Sequence, residues 1–323
     1  MTKPTASLSL DLDNKWSYLK THGDDSWVDH PSYLDLMVPR SLEMLAELDL
    51  SITYFIVGQD AVIDSNRNAL RAIADAGHEI GNHSFHHEPW LHLYSAEQLG
   101  DELTRAQDAI ESATGKRPVG FRGPGFSLSR QTLSTLIDLG IEYDCSTLPT
   151  FIGPLARMYY FWTSRLDKEQ KEERKILFGT MKEGLRSLHP YQWQLDERKI
   201  LEIPVTTIPI VRSPFHVSYL LFLLRFSKTL ALAYFRFALA MCRIRGVEPS
   251  LLLHPLDFLG AEDDPDVAFF PAMDLGAERK CAFLREVLSI YRDKYNVVTM
   301  QEHAKQIMQR PKIAQLAANS LAN

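Results

Sequence analysis

Cysteine is scarce in this chain: Cys145, Cys242 and Cys281 are far apart and form no CxxC pair. That excludes a disulfide scaffold and suits a reducing compartment. An excess of positive charge is missing too. Lysine and arginine number 35 against 41 acids, a net charge of −6, so nothing draws the whole molecule toward nucleic acid. The opening MTKPTASLSLDLDNKW has no apolar h-region and no small-residue cleavage site, so export is not expected and the cytoplasm is the expected location. Internal repeats and low-complexity tracts are lacking, and 45% hydrophobic with 24% charged residues is the balance of a folded protein.

What is present is an alternation of strand and helix. ASLSLDLD reads as a strand ending in acids, YLDLMVPRSLEMLAELDL as a helix and SITYFIVG as a buried strand. SNRNALRAIADAG is helical and HEIGNHS a short strand. SAEQLGDELTRAQDAIESATG is a helix opened by a serine cap, with Gln98 completing a capping box, and closed by glycine. PVGFRGPG, the helix SRQTLSTLIDLG and IEYDCS continue the series, which predicts an α/β fold on a parallel sheet, open or closed into a barrel. After Pro149 the pattern breaks. An aromatic patch, RMYYFWTSRL, and a charge run, DKEQKEERK, precede the strand ILEIPVTTIPI. A long apolar segment then leads to PSLLLHPLDF, and the closing region reads helix, strand, helix. The expectation is one domain over 1–323, with insertions at 150–199 and 211–248.

The chemistry-bearing residues gather where strands end. Asp11 and Asp13 stand two apart on one face of the first strand. GNHSFHHEP holds three of the 11 histidines within five positions. His83 and His87 are four apart, a spacing that lets two imidazoles meet one ion, with His86 a competitor for the second place. Two histidines, one carboxylate and open positions form a catalytic zinc set that cobalt, nickel, manganese or iron would also accept.

SLDLDNKW, HSFHH, FRGPGFSLS and LLLHPLDF, in that order, resemble the motifs of the polysaccharide deacetylase (NodB-homology, carbohydrate esterase 4) family. The resemblance covers roughly 5–145, 200–210 and 250–305. It implies a distorted (β/α) barrel with a largely helical insertion, and a divalent metal, zinc first, bound by Asp13, His83 and His87. Asp11 is then the general base for the attacking water, and Arg122 orients it. His254 is the general acid for the leaving amine, and Gly125 and Phe126 lie at the oxyanion and substrate side. Asp144 and Asp257 are further candidates for holding His254 or the rim. Two departures, the D-x-D spacing and Gly125 where an aromatic residue is usual, weigh against chitin or peptidoglycan as substrate.

Residues 217–245 contain no acid, and their apolar run is interrupted by Arg225, Lys228, Arg236 and Arg243. At about 100° per residue, the first, third and fourth of these cations share a line, with Lys228 to one side. An apolar body with a basic stripe suits an anionic membrane surface. Tyr159 and Trp162 fit the same headgroup belt. The expected function is therefore removal of an N-acetyl or N-formyl group from an amino sugar linked to polyprenyl phosphate, with the protein peripheral on the inner face of the cell membrane. The alternatives are hydrolysis of a soluble oligosaccharide or small amide, a homodimer interface at the apolar segment, and a non-catalytic membrane-associated binding protein.

Overall fold

The computed structural model describes residues 3–151 and 181–321. Tyr159 and Trp162, and most of the first expected insertion, lie outside them. The strands are β1 (Thr5–Leu12), β2 (Thr53–Ile56), β3 (Glu79–Asn82), β4 (Gly120–Phe121), β5 (Tyr143–Asp144), β6 (Tyr191–Leu195), β7 (Arg198–Glu202), β8 (Ser250–Leu253), β9 (Asn296–Val298) and β10 (Ala314–Ala317). They form one sheet in the order β10-β6-β7-β5-β4-β3-β2-β1-β8, with β9 also on β1. Every pairing is parallel except β6 with β7. The chain is thus a mixed α/β fold whose sheet runs as an open path, and no ladder joins β8 to β10 among the described residues.

Strand alternation sets the two faces of β1. Ala6, Leu8, Leu10 and Leu12 are buried in the main hydrophobic core. Each buried leucine stabilises by about 2 kcal/mol. Ser7, Ser9 and Asp11 occupy the other face, where Ser7 Oγ meets His303 Nδ1 at 3.0 Å and Ser9 Oγ accepts from Arg122 at 2.9 Å. Because successive side chains alternate, Asp11 shares this polar face. Parallel pairing then brings the ends of β1, β3, β4 and β8 to one rim.

The helices are cut where the sequence places their caps. Ala96–Thr114 has the full capping box, Ser95 N donating to Gln98 Oε1 at 2.9 Å and Gln98 N to Ser95 Oγ at 3.2 Å. Gly115 ends it at φ 74°, in the left-handed region that glycine tolerates.

The apolar segment differs from its expected form. It is two helices, Val217–Leu224 and Lys228–Ile244, broken at Arg225 and Phe226 and restarted by Ser227, whose Oγ accepts from Leu230 N at 3.3 Å. Arg225 therefore sits in the break, and the single basic line through Arg225, Arg236 and Arg243 does not exist as a helix face. One side of the second helix, including Ala231, Leu232, Phe235, Leu239 and Cys242, is buried in the main core. No helix among the described residues is long and apolar enough to cross a membrane.

Candidate metal centre and its surroundings

The ends of β1 and β3 bring three ligand-type side chains together. Asp13 Oδ1 lies 3.3 Å from His83 Nε2 and 3.0 Å from His87 Nε2, and the three donor atoms lie within 4.8 Å of one another. Among the described residues neither Asp13 Oδ1 nor His87 Nε2 makes an aligned hydrogen bond, although both are buried. Buried polar atoms that converge without satisfying one another fit a cation, because leaving each unpaired costs about 1–3 kcal/mol. His83 Nδ1 sits 2.6 Å from the Arg122 carbonyl, which takes its proton and leaves Nε2 bare for an ion. Burial by itself would raise the Asp13 carboxyl, but His87 and His83 outweigh it and hold the acid well below the usual range. Burial likewise opposes a charged His83, and Asp11 with Asp13 outweighs it, so that ring's pKa is raised. This cluster is able to coordinate a divalent metal.

The loop after β3 explains which histidine enters. Ser84 and His87 both have positive φ, 61° and 54°, a costly conformation for non-glycine residues. The turn is held by Ser84 N on Asn82 Oδ1 at 2.8 Å and His87 N on Ser84 Oγ at 3.2 Å. His86 faces away, its Nδ1 2.6 Å from Glu102 Oε2, while Glu102 Oε1 accepts from Phe85 N and His86 N. His87 completes the cluster and His86 anchors the loop. Glu102, a buried acid on the apolar face of its helix, is a supporting residue that motif reading misses.

Beside the cluster, Asp11 Oδ1 accepts from Arg122 Nη1 at 2.6 Å, with both side chains buried. Arg122 is fixed by Ser9 Oγ, by the Cys145 carbonyl at 3.2 Å from Nε, and by the Phe55 ring 4.4 Å beneath the guanidinium. Phe55 has room only because residue 81 is glycine, since a Cβ there would lie 2.4 Å from the ring. Arg122 Nη2 has no hydrogen-bond partner among the described residues.

Gly125 stands in a tight turn, Pro124–Phe126, at φ 58° and is exposed, while Phe126 is half-buried. Phe126 N is taken by the Gly123 carbonyl at 2.9 Å. Asp144 does not hold His254. Its partners are Ser146 Oγ at 2.6 Å and Glu202, and burial, then Asp144, pushes the Glu202 carboxyl well above its usual range.

His254 follows β8, and Asp257 Oδ2 accepts its backbone N–H at 2.8 Å. His216 and Ser218, from the start of the apolar segment, also reach it. The His216 ring is 5.8 Å from that of His254, and its buried Nδ1 has no partner among the described residues. Tyr18 is a further group that motif reading misses. Its buried hydroxyl likewise has no partner among the described residues, and burial first, then Asp13, Tyr33, Asp257 and Asp11, raises its pKa well above the usual value.

The basic residues of the apolar segment divide. Arg225 Nη2 pairs with Asp274 at 3.1 Å and Lys228 Nζ with Glu286 at 2.7 Å. Arg236 and Arg243 are exposed and make no ion pair among the described residues.

Comparison with known proteins agrees with this geometry. Residues 24–143 match the family model for polysaccharide deacetylase. The peptidoglycan deacetylase of Helicobacter pylori is 30% identical over 195 residues, 58% of this chain and 65% of that protein. The peptidoglycan-N-acetylmuramic acid deacetylase PdaA of Bacillus subtilis is 34% identical over 79 residues, 24% of this chain and 29% of that protein. A solved chain from Mycobacterium smegmatis, provisionally named a polysaccharide deacetylase, superposes with a TM-score of 0.63 at 21% identity. It covers 97% of this chain and 96% of that one, and supports the fold alone. Over residues 24–143 this chain is thus similar to the polysaccharide deacetylase, or NodB-homology, family. It spans less than two thirds of the length of these curated relatives.

Proposed function

We propose that this protein is a metal-dependent hydrolase that removes the acyl group from an N-acetylated amino sugar. The observation that carries this reading is the convergence of Asp13, His83 and His87 beside a carboxylate, Asp11, clamped by a buried arginine. The names of the curated relatives support an acetylated glycan as the substrate class. We further infer that the sheet curls as a distorted barrel around this rim.

A divalent ion, zinc first, held by Asp13, His83 and His87 would polarise the amide carbonyl and lower the pKa of a water toward 7. Asp11 takes the proton of the attacking water, and Arg122 holds and aims that carboxylate. The Gly125 N–H is a donor for the developing oxyanion, and Phe126 borders the sugar. His254 gives a proton to the departing amine, which is a poor leaving group without one.

The sugar, in this reading, is linked to a polyprenyl phosphate and reached at the cytoplasmic face of the membrane. The support is an exposed apolar line. Leu230, Phe237 and Ile244, seven apart on one helix, are 52%, 53% and 75% exposed, and Phe226 before them is 71% exposed. Seven residues are nearly two turns, so the three lie along one face. Arg236 and Arg243 stand next to Phe237 and Ile244. Apolar side chains flanked by unpaired cations match an anionic bilayer. A second reading, a soluble oligosaccharide or small amide, is favoured by the Arg225 and Lys228 ion pairs, which tie half the cations to the protein itself.

Acetate release by the zinc- or cobalt-loaded protein tests both readings, with a polyprenyl-phosphate-linked N-acetyl sugar beside chito-oligosaccharides and a chelator control. Chelator-sensitive release from the lipid-linked sugar alone is the expected result. Release from soluble substrates alone selects the second reading. Release from neither, with Asp11→Asn cells behaving as wild type, would leave a non-catalytic binding protein.

A further inference from the structure

The apolar segment begins inside the acid side of the site. Ser218, in the first turn of Val217–Leu224, donates its only hydroxyl hydrogen to Asp257 Oδ1 at 2.9 Å. The same Oγ lies 3.2 Å from His254 Nδ1. With its hydrogen committed, Oγ has only lone pairs to offer, so Nδ1 must carry the proton in this contact. Asp257, 2% exposed, closes the arrangement through its other oxygen on the His254 backbone N–H at 2.8 Å.

We propose that Ser218 is a positioning residue for His254: its hydroxyl links Nδ1–H to the Asp257 carboxylate, which fixes the tautomer and leaves Nε2 for the substrate. The step it serves rests on the deacetylase reading above. In that step the scissile C–N bond breaks with its electron pair on nitrogen, and Nε2 gives its proton to that nitrogen. The ring returns to the neutral form with Nδ1–H in place. A carboxylate reached through a hydroxyl stabilises the imidazolium, which a general acid must be before it acts.

The groups facing this ring are few. His216 is held neutral, burial first and then His254 and Arg122 pushing its pKa down to about 3. Arg122, at the end of β4, is a cation on this side of the rim. Lys280, from the helix Ala277–Lys294, is another, its Nζ bound to the Leu256 and Leu259 carbonyls. Asp257 is the acid, its carboxyl raised by burial against the pull of His254 and Ser218, and the Tyr18 hydroxyl lies near it.

The test is long-range proton–nitrogen NMR of the full, zinc-loaded chain labelled at histidine nitrogens, with His254→Gln to assign the resonance. The expected wild-type spectrum has a protonated Nδ1 and a pyridine-type Nε2 at high pH. Ser218→Ala should mix the tautomers, because the hydroxyl that takes the Nδ1–H is gone. Ser218→Thr should restore the single tautomer. Turnover should fall about 10–100-fold in the alanine variant with little change in KM, the range for a lost orienting partner. An unchanged tautomer in Ser218→Ala, or a folded threonine variant that behaves like alanine, overturns the proposal. Should the alanine variant not fold, the wild-type spectrum decides alone, since an Nε2–H ring is incompatible with the proposal. A wild-type protein that releases no acetate yet shows the Nδ1–H ring refutes the deacetylase reading and leaves the Ser218 link standing.

Discussion

Asp11, His83 and Arg122 stand at the ends of parallel strands of one sheet and are fixed by ladder geometry, whereas His254 is held by side chains from a strand end and from the helix Val217–Leu224. On the first side, backbone pairing places each residue: His83 N donates to Ile56 O at 2.9 Å and Arg122 N to Asn82 O at 3.1 Å. On the second, three hydrogen bonds link Ser218, Asp257 and His254, one of them to the ring and one to its backbone N–H, with no strand pairing between their elements. A sheet end gives fixed geometry that a short motif can encode. A helix packed against the rim through side chains gives an orientation that one side-chain change can alter.

The sharpest break of this comparison comes from the sheet side. His83→Ala is expected to lose stoichiometric metal, measured by elemental analysis of the purified protein, and all turnover with it. Asp11→Asn should keep the metal and lose about 10²–10⁴-fold in kcat, the usual contribution of general acid–base catalysis. An Asp11→Asn enzyme that keeps wild-type kcat would remove Asp11 from the chemistry.

Stability should separate the two sides next. Arg122→Met leaves Asp11 buried without its cation, and breaking a buried pair from one side costs about 3–5 kcal/mol. His254→Gln, at a half-buried strand end, should change stability by under about 1 kcal/mol. Urea unfolding of both variants measures this. Equal losses would show that the inserted side is as much a part of the folding core as the strand ends.

How much of this was legible follows the same division. Alternation in SLSLDLD placed Ser7, Ser9 and Asp11 on one polar face, and Ser95 with Gln98 marked a helix start to the residue. Family motifs named the residues of the rim because those residues are local in sequence. The hairpin of β6 and β7 was half hidden. Tyr191, Trp193 and Leu195 alternate, but they follow a charge run that dilutes the pattern. Ser218 and His216 were hidden altogether, since a serine and a histidine flanking VSYLLFLL carry no signal until the helix is packed against His254. The break at Arg225 was missed for a related reason. A continuous apolar run gives no sign that Ser227 caps a new helix, so one helical phase was carried through two.

A buried acid behind the metal side gives a pH-dependent probe. Asp60 Oδ1 accepts from Asn14 Nδ2 at 2.8 Å and Trp16 Nε1 at 2.9 Å, and the Trp16 ring stands edge-on to His87. Burial pushes the Asp60 carboxyl from 3.8 up to about 7, against the pull of those two donors. The native state then binds the proton more tightly than the unfolded chain, so stability is full below about pH 4 and falls as pH rises toward 7. The loss is on the order of 4 kcal/mol at most. Asp60→Asn keeps an acceptor for both donors and cannot ionise. The wild type should therefore lose stability relative to this variant between pH 4 and 7 in thermal melts, and parallel curves would mean that Asp60 is charged in the fold.

The smallest expected effect lies at the far end of the inserted segment, where its second helix leaves the site and turns an apolar line outward. Each arginine near an anionic bilayer contributes about 1 kcal/mol, so Arg236→Gln with Arg243→Gln should weaken binding to phosphatidylserine-containing vesicles by roughly 30-fold in flotation assays. Exposed substitutions of this kind change stability by about 0.5 kcal/mol or less, so melting and metal content should stay as in the wild type. Turnover of a water-soluble substrate should also be unchanged, while turnover of a vesicle-borne one falls with binding. Arg225→Gln is the internal control, because its partner is Asp274 rather than solvent. Vesicle binding that ignores the pair Arg236 and Arg243 but responds to Arg225 would place the contact at the helix break, beside Phe226, instead of along Leu230, Phe237 and Ile244.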